Sequence, residues 1–145
     1  MQSLRSLRTS LIGASLVFLL LTSATAKNGR DFAGFYNVTN VVEQGDQMVL
    51  TFQLRLFNYS DADLKEAVVT LRASHPAPAL AQFKAVKLWR NRTEVRLSQQ
   101  LVIPRHELEL WQKGTQPALF VVYHDANGQR WERFAQVSSR PGLPR

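Results

Sequence analysis

The stretch MVLTFQLRLF, residues 48–57, decides the fold class. Met48, Leu50, Phe52, Leu54 and Leu56 share one parity, while Val49, Thr51, Gln53, Arg55 and Phe57 share the other. Successive side chains of a β-strand point to opposite faces, so apolar residues at period two, set mostly against polar ones, describe a strand with one face in a core. Just before it, Phe35 to Glu43 is rich in Val, Phe and Tyr, and Gln44-Gly45-Asp46 supplies turn residues. The two segments read as a β-hairpin.

The same grammar continues toward the C-terminus. Asn58 to Asp63 is a cluster of turn formers. Ala67, Val69, Leu71 and Ala73 then alternate with Val68, Thr70 and Arg72 as a further strand, which His75-Pro76-Ala77-Pro78 ends because proline cannot donate to a ladder. Leu80, Phe83, Val86 and Leu88 fit neither period cleanly and suggest a short edge strand within residues 80–89. Val95, Leu97, Leu101 and Ile103 share one parity, with Gln99 as the exception on that face. Pro104 to Gly114 changes character. Proline suits a first helical turn, Leu108 and Trp111 stand three apart, and Gly114 stands where a helix would stop. One or two helical turns with Trp111 packed inward, or a continued strand, both fit. Leu119 to Tyr123 is apolar throughout and predicts a central strand covered on both faces. Asp125-Ala126-Asn127-Gly128 predicts a tight turn, Arg130 to Val137 a last strand, and Ser138 to Arg145 a disordered tail.

Residues 1–26 stand apart from this pattern. Arg5 and Arg8 precede an apolar run from Leu11 to Leu21, and Ala24-Thr25-Ala26 follows with small residues. That is the layout of a secretory signal peptide. The run is about half the roughly 20 residues that a spanning helix needs, and no basic stop-transfer cluster follows. Cleavage after Ala26 is expected, leaving a flexible segment at 27–32, a single domain at 33–137 and a tail at 138–145. Loss of Arg5 and Arg8 would lower by two the formal net charge of +7. The chain has no cysteine, which excludes a thiolate nucleophile, a Cys-ligated zinc site and a lipidated cysteine. The expected location is the periplasm or the medium.

Short strands with turn signals about every ten residues and no long helix predict an all-β, antiparallel β-sandwich. Leu50-Thr51-Phe52-Gln53-Leu54, then Asn58-Tyr59-Ser60, then Ala67-Val68-Val69-Thr70-Leu71 resembles the second and third strands of the immunoglobulin-like sandwiches found in many exported bacterial proteins. The resemblance implies about seven strands in two sheets, with the 104–114 turn crossing between them. It does not extend to the inter-sheet cysteine pair of antibody domains. Such folds host adhesion, docking and carbohydrate binding, and fold does not fix function.

Few residues suggest chemistry. His75, His106 and His124 lie in no metal-ligand spacing. His124-Asp125 has the composition of half a catalytic triad, but adjacent strand residues point to opposite faces and no Gly-x-Ser-x-Gly elbow is present. Asp61 and Asp63 cap a loop, and Glu107 and Glu109 flank a helix start. Neither a catalytic residue nor a cofactor or metal is expected. Asn37-Val38-Thr39, Asn58-Tyr59-Ser60 and Asn91-Arg92-Thr93 match the N-glycosylation pattern, the first two in or beside strands.

The main surface feature is basic. Lys84, Lys87, Arg90, Arg92 and Arg96 surround Trp89, with Glu94 as the one opposing charge. Arginines beside an exposed tryptophan could hold an anionic polymer. The competing reading is a solvated edge whose lysines discourage strand pairing, with Trp89 in the core. Arg130, Trp131 and Arg133 repeat the composition in the last strand. The expectation is a non-enzymatic module that meets a protein partner through a sheet face or edge. An anionic glycan or envelope polymer is the alternative, a small hydrolase the least favoured reading, and nucleic acid is not expected.

Overall fold

The computed structural model describes residues 31–73 and 79–140. The segment expected to be a signal peptide, the His75 turn and the tail from residue 141 onward lie outside the described residues. The chain runs β1 (Phe32–Gln44), β2 (Gln47–Asn58), β3 (Leu64–Arg72), β4 (Ala79–Gln82), β5 (Val86–Trp89), β6 (Glu94–Pro104), α1 (Arg105–Gln112), β7 (Ala118–His124) and β8 (Arg130–Ser139). Among the described residues, no helix is long and apolar enough to cross a membrane.

The period-two stripe of β2 builds the core as its pattern predicts. Leu50, Phe52, Leu54 and Leu56 are fully buried, and the residues between them are not. β1 pairs antiparallel with β2 through a two-residue turn in which Gly45 has φ +60° and Asp46 does not enter the left-handed region. A positive φ at the first central position alone is the type II′ pattern that matches strand twist. α1 resolves the ambiguity at 104–114 in favour of helix. Leu108 and Trp111 fall on one buried face, and Trp111 packs edge-on against Phe52 and Tyr36. Gly114, at φ +99°, follows the last turn and accepts the conformation that ends it.

The strands form one sheet in the order β4-β3-β7-β8-β1-β2-β6, with β5 also paired to β3. It rolls nearly into a barrel around a single core, so that β4 approaches β6. The two halves are joined by a parallel seam in which Ala33, Gly34, Phe35 and Tyr36 face Gln136, Val137, Ser138 and Ser139. Gly34 makes the close approach of β1 to β2 possible, because a Cβ there would run into the Arg55 carbonyl and come within 3.1 Å of Leu56 Cα.

Four expectations change. β8 extends through Ser139, because Ser138 and Ser139 are held by β1 and the Arg140 N–H donates to the Tyr36 carbonyl. Phe32, read as part of a flexible N-terminal segment, starts β1 and is fully buried against Trp89 at 5.3 Å between ring centroids. β7 is central but covered on one face only: Leu119 and Val121 are buried, whereas Phe120 and Val122 stay half-exposed on the other. A single sheet that curls around its own core has no second layer to cover that outer face. The segment 80–89 becomes two short strands along β3, with Phe83 dropping into the core between them.

Candidate interaction surface

The structure disperses the basic cluster. Lys84 lies between β4 and β5, Lys87 on β5, Arg90 and Arg92 on the β5–β6 turn, and Arg96 on β6, all exposed. Trp89 is 1% exposed and its indole N–H donates to the Thr93 carbonyl at 3.1 Å. It belongs to the core and offers no ring for stacking, since β5 turns it toward Phe32 and Leu64. Arg96 does not stand free either. Glu94 accepts from its Nε at 2.9 Å and from Nε and Nη2 of Arg55 at 3.0 and 2.7 Å.

The second basic segment lies on the far side of β3 and β7 from the first. Within it, Arg130 shares the outer face with Glu132, at 3.4 Å. Trp131 and Arg133 take the opposite, core-facing parity, in register with Tyr123 and Val121. The Arg133 guanidinium lies 4.6 Å from the Trp131 ring centroid, and the indole N–H donates to Asp125 Oδ2 at 2.9 Å. The two segments therefore do not present one face.

The acidic and histidine candidates take structural positions. His106 and His124 are exposed, on α1 and at the end of β7. Asp125 organises the β7–β8 turn: its Oδ1 accepts from the Asn127 and Gln129 amides at 2.9 Å each, and Gly128 has φ +79°. The Trp131 indole, followed by the Gln129 amide, holds the Asp125 carboxyl below the usual carboxylate range. Glu107 is buried beneath α1 and accepts the Trp111 indole N–H at 3.1 Å. Asp63 accepts the Asn91 amide at 2.8 Å. No group of three or more His, Asp or Glu among the described residues could hold a metal ion.

Of the three sequons, Asn91 is exposed on a turn and Asn37 is half-buried on β1. Asn58 is fully buried and every polar atom it carries is used. Its Nδ2 donates to the Ala62 and Trp89 carbonyls at 3.0 and 3.3 Å, and its Oδ1 accepts from the Ser60 amide at 2.9 Å and from the Ser60 hydroxyl. Its backbone N–H donates to the Thr93 carbonyl and its carbonyl accepts the Arg92 amide.

The surface that sequence reasoning missed is the outer face of β3, β7 and β8. Register aligns Thr70, Phe120 and Phe134 in one row and Val68, Val122 and Glu132 in the next. Phe120 and Phe134 meet edge to face at 5.7 Å, and Phe134 is 46% exposed. The Arg72 guanidinium lies 4.6 Å from the Phe120 centroid and pairs with Glu132, which also pairs with Arg130. An open apolar platform is thus framed by a charge-paired row. The signal was in the sequence: Phe134 has the parity opposite to Ala135 and Val137, which are both buried.

A second outer face, on β1, β2 and β6, is polar. Asn37, Gln53 and Ser98 form one row, and Phe35, Arg55 and Arg96 the next. A shallow depression of about 460 Å³ lies over these rows. Hydrogen bonds from Arg55 hold the Glu94 carboxyl below its usual range, with burial opposing and Arg96 reinforcing. A depressed folded-state pKa contributes stability that is complete above the unfolded value and disappears as pH falls through the folded one. Glu94→Gln is therefore expected to lower stability at neutral pH and to flatten its decline in acid, checked by urea unfolding across a pH series.

No protein-family model and no curated protein sequence matches the chain. Among solved structures it is similar to a GH20 exo-β-N-acetylglucosaminidase from Vibrio harveyi in complex with N-acetylglucosamine, at 12% identity and a TM-score of 0.45, over 79% of this chain and 19% of that one. The chain therefore spans about a fifth of that protein's length. It is also similar to a target of the Northeast Structural Genomics Consortium, at 8% identity and a TM-score of 0.41, over 78% of this chain and 88% of that one.

Proposed function

We propose that this chain is an exported, non-enzymatic binding module that docks a protein partner through the outer face of β3, β7 and β8. The observation that carries the reading is the exposed Phe134 ring against the half-exposed Phe120, framed by Arg72, Glu132 and Arg130. Water gains nothing from this exposure, whereas a protein surface that covers the rings recovers their burial, and aromatic centres within a polar rim are where interface energy concentrates. Export rests on the basic, apolar and small-residue order of residues 1–26. The immunoglobulin-like reading is supported by the grouping of β1, β2 and β6 against β3, β4, β7 and β8, with first and last strands in parallel contact.

The test is affinity capture from the envelope fraction of the source cell, with wild type and Phe134→Lys compared at low and high salt. Phe134 is solvent-facing, so the variant should keep the wild-type circular dichroism. Loss of an aromatic centre costs about 2 kcal/mol, roughly thirtyfold in affinity. A partner retained at high salt by wild type and lost by the variant is the expected result. Identical partner sets for both proteins would overturn the proposal.

An anionic-glycan reading is favoured by one observation, the depression beside Phe35 that brings Arg55 and Arg96 together. It predicts binding that weakens steeply with salt and depends on Arg55 and Arg96, with no response to Phe134→Lys.

A further inference from the structure

One hollow in the surface is lined by neutral residues alone. A depression of about 250 Å³ lies where β1 meets the end of β2 and the end of β8, and none of its lining residues is charged. Register explains the hollow. Phe57, Ala33 and Gln136 form one outward row across β2, β1 and β8, and the small Ala33 leaves that row low in its middle. Phe35 and Ser138 face each other in the next row. Gln116, from the segment between α1 and β7, lines a further side. Tyr59 stacks on Phe57 with centroids 5.6 Å apart and planes at 20°. Its position is held from the backbone, because the Tyr59 N–H donates to the Asp31 carbonyl at 2.7 Å and the preceding Asn58 is fully buried in its own hydrogen bonds. With Phe57 against one face, the ring is still 57% exposed. Gln116, Gln136 and Ser138 are exposed as well and supply neutral donors and acceptors. The cations around Phe35 are already engaged: Arg55 opposite it pairs with Glu94 at 2.7 Å, and the Arg140 guanidinium lies 5.2 Å from the Phe35 centroid.

We infer that this depression binds a neutral sugar, one pyranose unit of an oligosaccharide whose hydroxyls are equatorial. The inference does not depend on protein docking at β3, β7 and β8. A pyranose of that kind has two apolar C–H faces and a rim of hydroxyls, each both donor and acceptor. One face can lie on the open side of Tyr59, as aromatic rings take apolar faces while neighbouring polar groups bind the rim. The Gln116 and Gln136 amides then meet the hydroxyls with a donor and an acceptor each, and Ser138 adds a hydroxyl of its own. The volume falls below the roughly 300–1,000 Å³ of sites for drug-sized ligands, so a single ring is the fitting size and the adjoining units of the oligosaccharide remain in solvent. The neutral lining matches an uncharged ligand. A phosphate, sulfate or uronic acid would lose its hydration here and gain no cation in return.

Cellotetraose, whose ring hydroxyls are all equatorial, is the probe. It is titrated into the isotope-labelled protein while backbone amide resonances are followed by NMR. Saturable shifts at Phe57, Tyr59 and Gln136 are expected, with the same dissociation constant at low and high salt. Tyr59→Ala should raise that constant about tenfold or more, the usual cost of losing an aromatic contact. Gln136→Glu should do the same by placing a carboxylate in the neutral lining. Gln136 is exposed, so this second variant should keep the wild-type circular dichroism even if Tyr59→Ala loosens the end of β2. Arg96→Ala should leave binding unchanged. Tetragalacturonate, of equal length but charged, should not shift the same amides. No saturable shift with cellotetraose up to about ten millimolar overturns the inference. Shifts by tetragalacturonate that fade with salt would reveal an anion site and overturn it too. Binding of cellotetraose that survives both Tyr59→Ala and Gln136→Glu places the sugar elsewhere and overturns it as well.

Discussion

Gly34→Ala is expected to destabilise the domain by at least about 3 kcal/mol, lowering the melting temperature by roughly 10 °C or more. The added Cβ would run into the Arg55 carbonyl and crowd Leu56 Cα. Both belong to the β2 backbone, so no side-chain rotation relieves the clash, and β1 has to move away from β2. Gly34 also faces Val137 across the parallel seam, so the same displacement opens the contact that joins the two halves of the sheet. Gly45→Ala is the control. Gly45 has φ +60° and nothing within 4 Å of a new Cβ, so it pays conformational strain alone, about 1–2 kcal/mol. Thermal and urea unfolding of the two variants separates the effects. Equal destabilisation would mean that β1 and β2 are less closely packed at Gly34 than described.

Asn58→Ala should cost about 3 kcal/mol by the same measurements. The side chain, itself fully buried, satisfies two carbonyls and receives two donors. Truncation leaves the Trp89 carbonyl without that donor and removes the acceptor for the Ser60 amide. Each stranded buried group costs about 1–3 kcal/mol. Asn58→Asp tests whether size or donor capacity matters, because a carboxylate keeps the acceptor and loses both donors. A change below 1 kcal/mol in Asn58→Ala would show that water replaces the amide there.

These two positions mark the limit of what could be read from sequence. Periodicity reports which face of a strand is buried, and the 48–57 stripe, the β1–β2 hairpin and the inward Trp111 were legible because each depends on neighbours in the chain. Gly34 and Asn58 act on partners distant in sequence. Asn58 looked like a turn residue and a sequon, and its work on Trp89 depends on β5 folding back along β3. Ser138 and Ser139 looked like tail because polar residues near Pro141 and Gly142 carry no apolar period; their place in β8 comes from β1, about a hundred residues earlier. Glu66, at φ +51°, shifts the inward parity between Leu64 and Ala67, which no count of alternating residues anticipates. The basic segment was equally visible, but composition could not tell that Trp89 turns inward or that Glu94 already engages Arg96. The Phe120–Phe134 platform was hidden by treating an all-apolar run as a strand covered on both sides.

The parallel seam between β1 and β8 has a mechanical consequence. Its β1 side runs from the first residues of the fold and its β8 side to the last, in the same direction. A pull between the two ends of the domain therefore acts along these strands and loads all four residue pairs together in shear, instead of peeling them one at a time. Tension would have to break that seam at once before β1 and β8 could separate. A domain tethered at one end and loaded at the other would then resist extension through these four residue pairs.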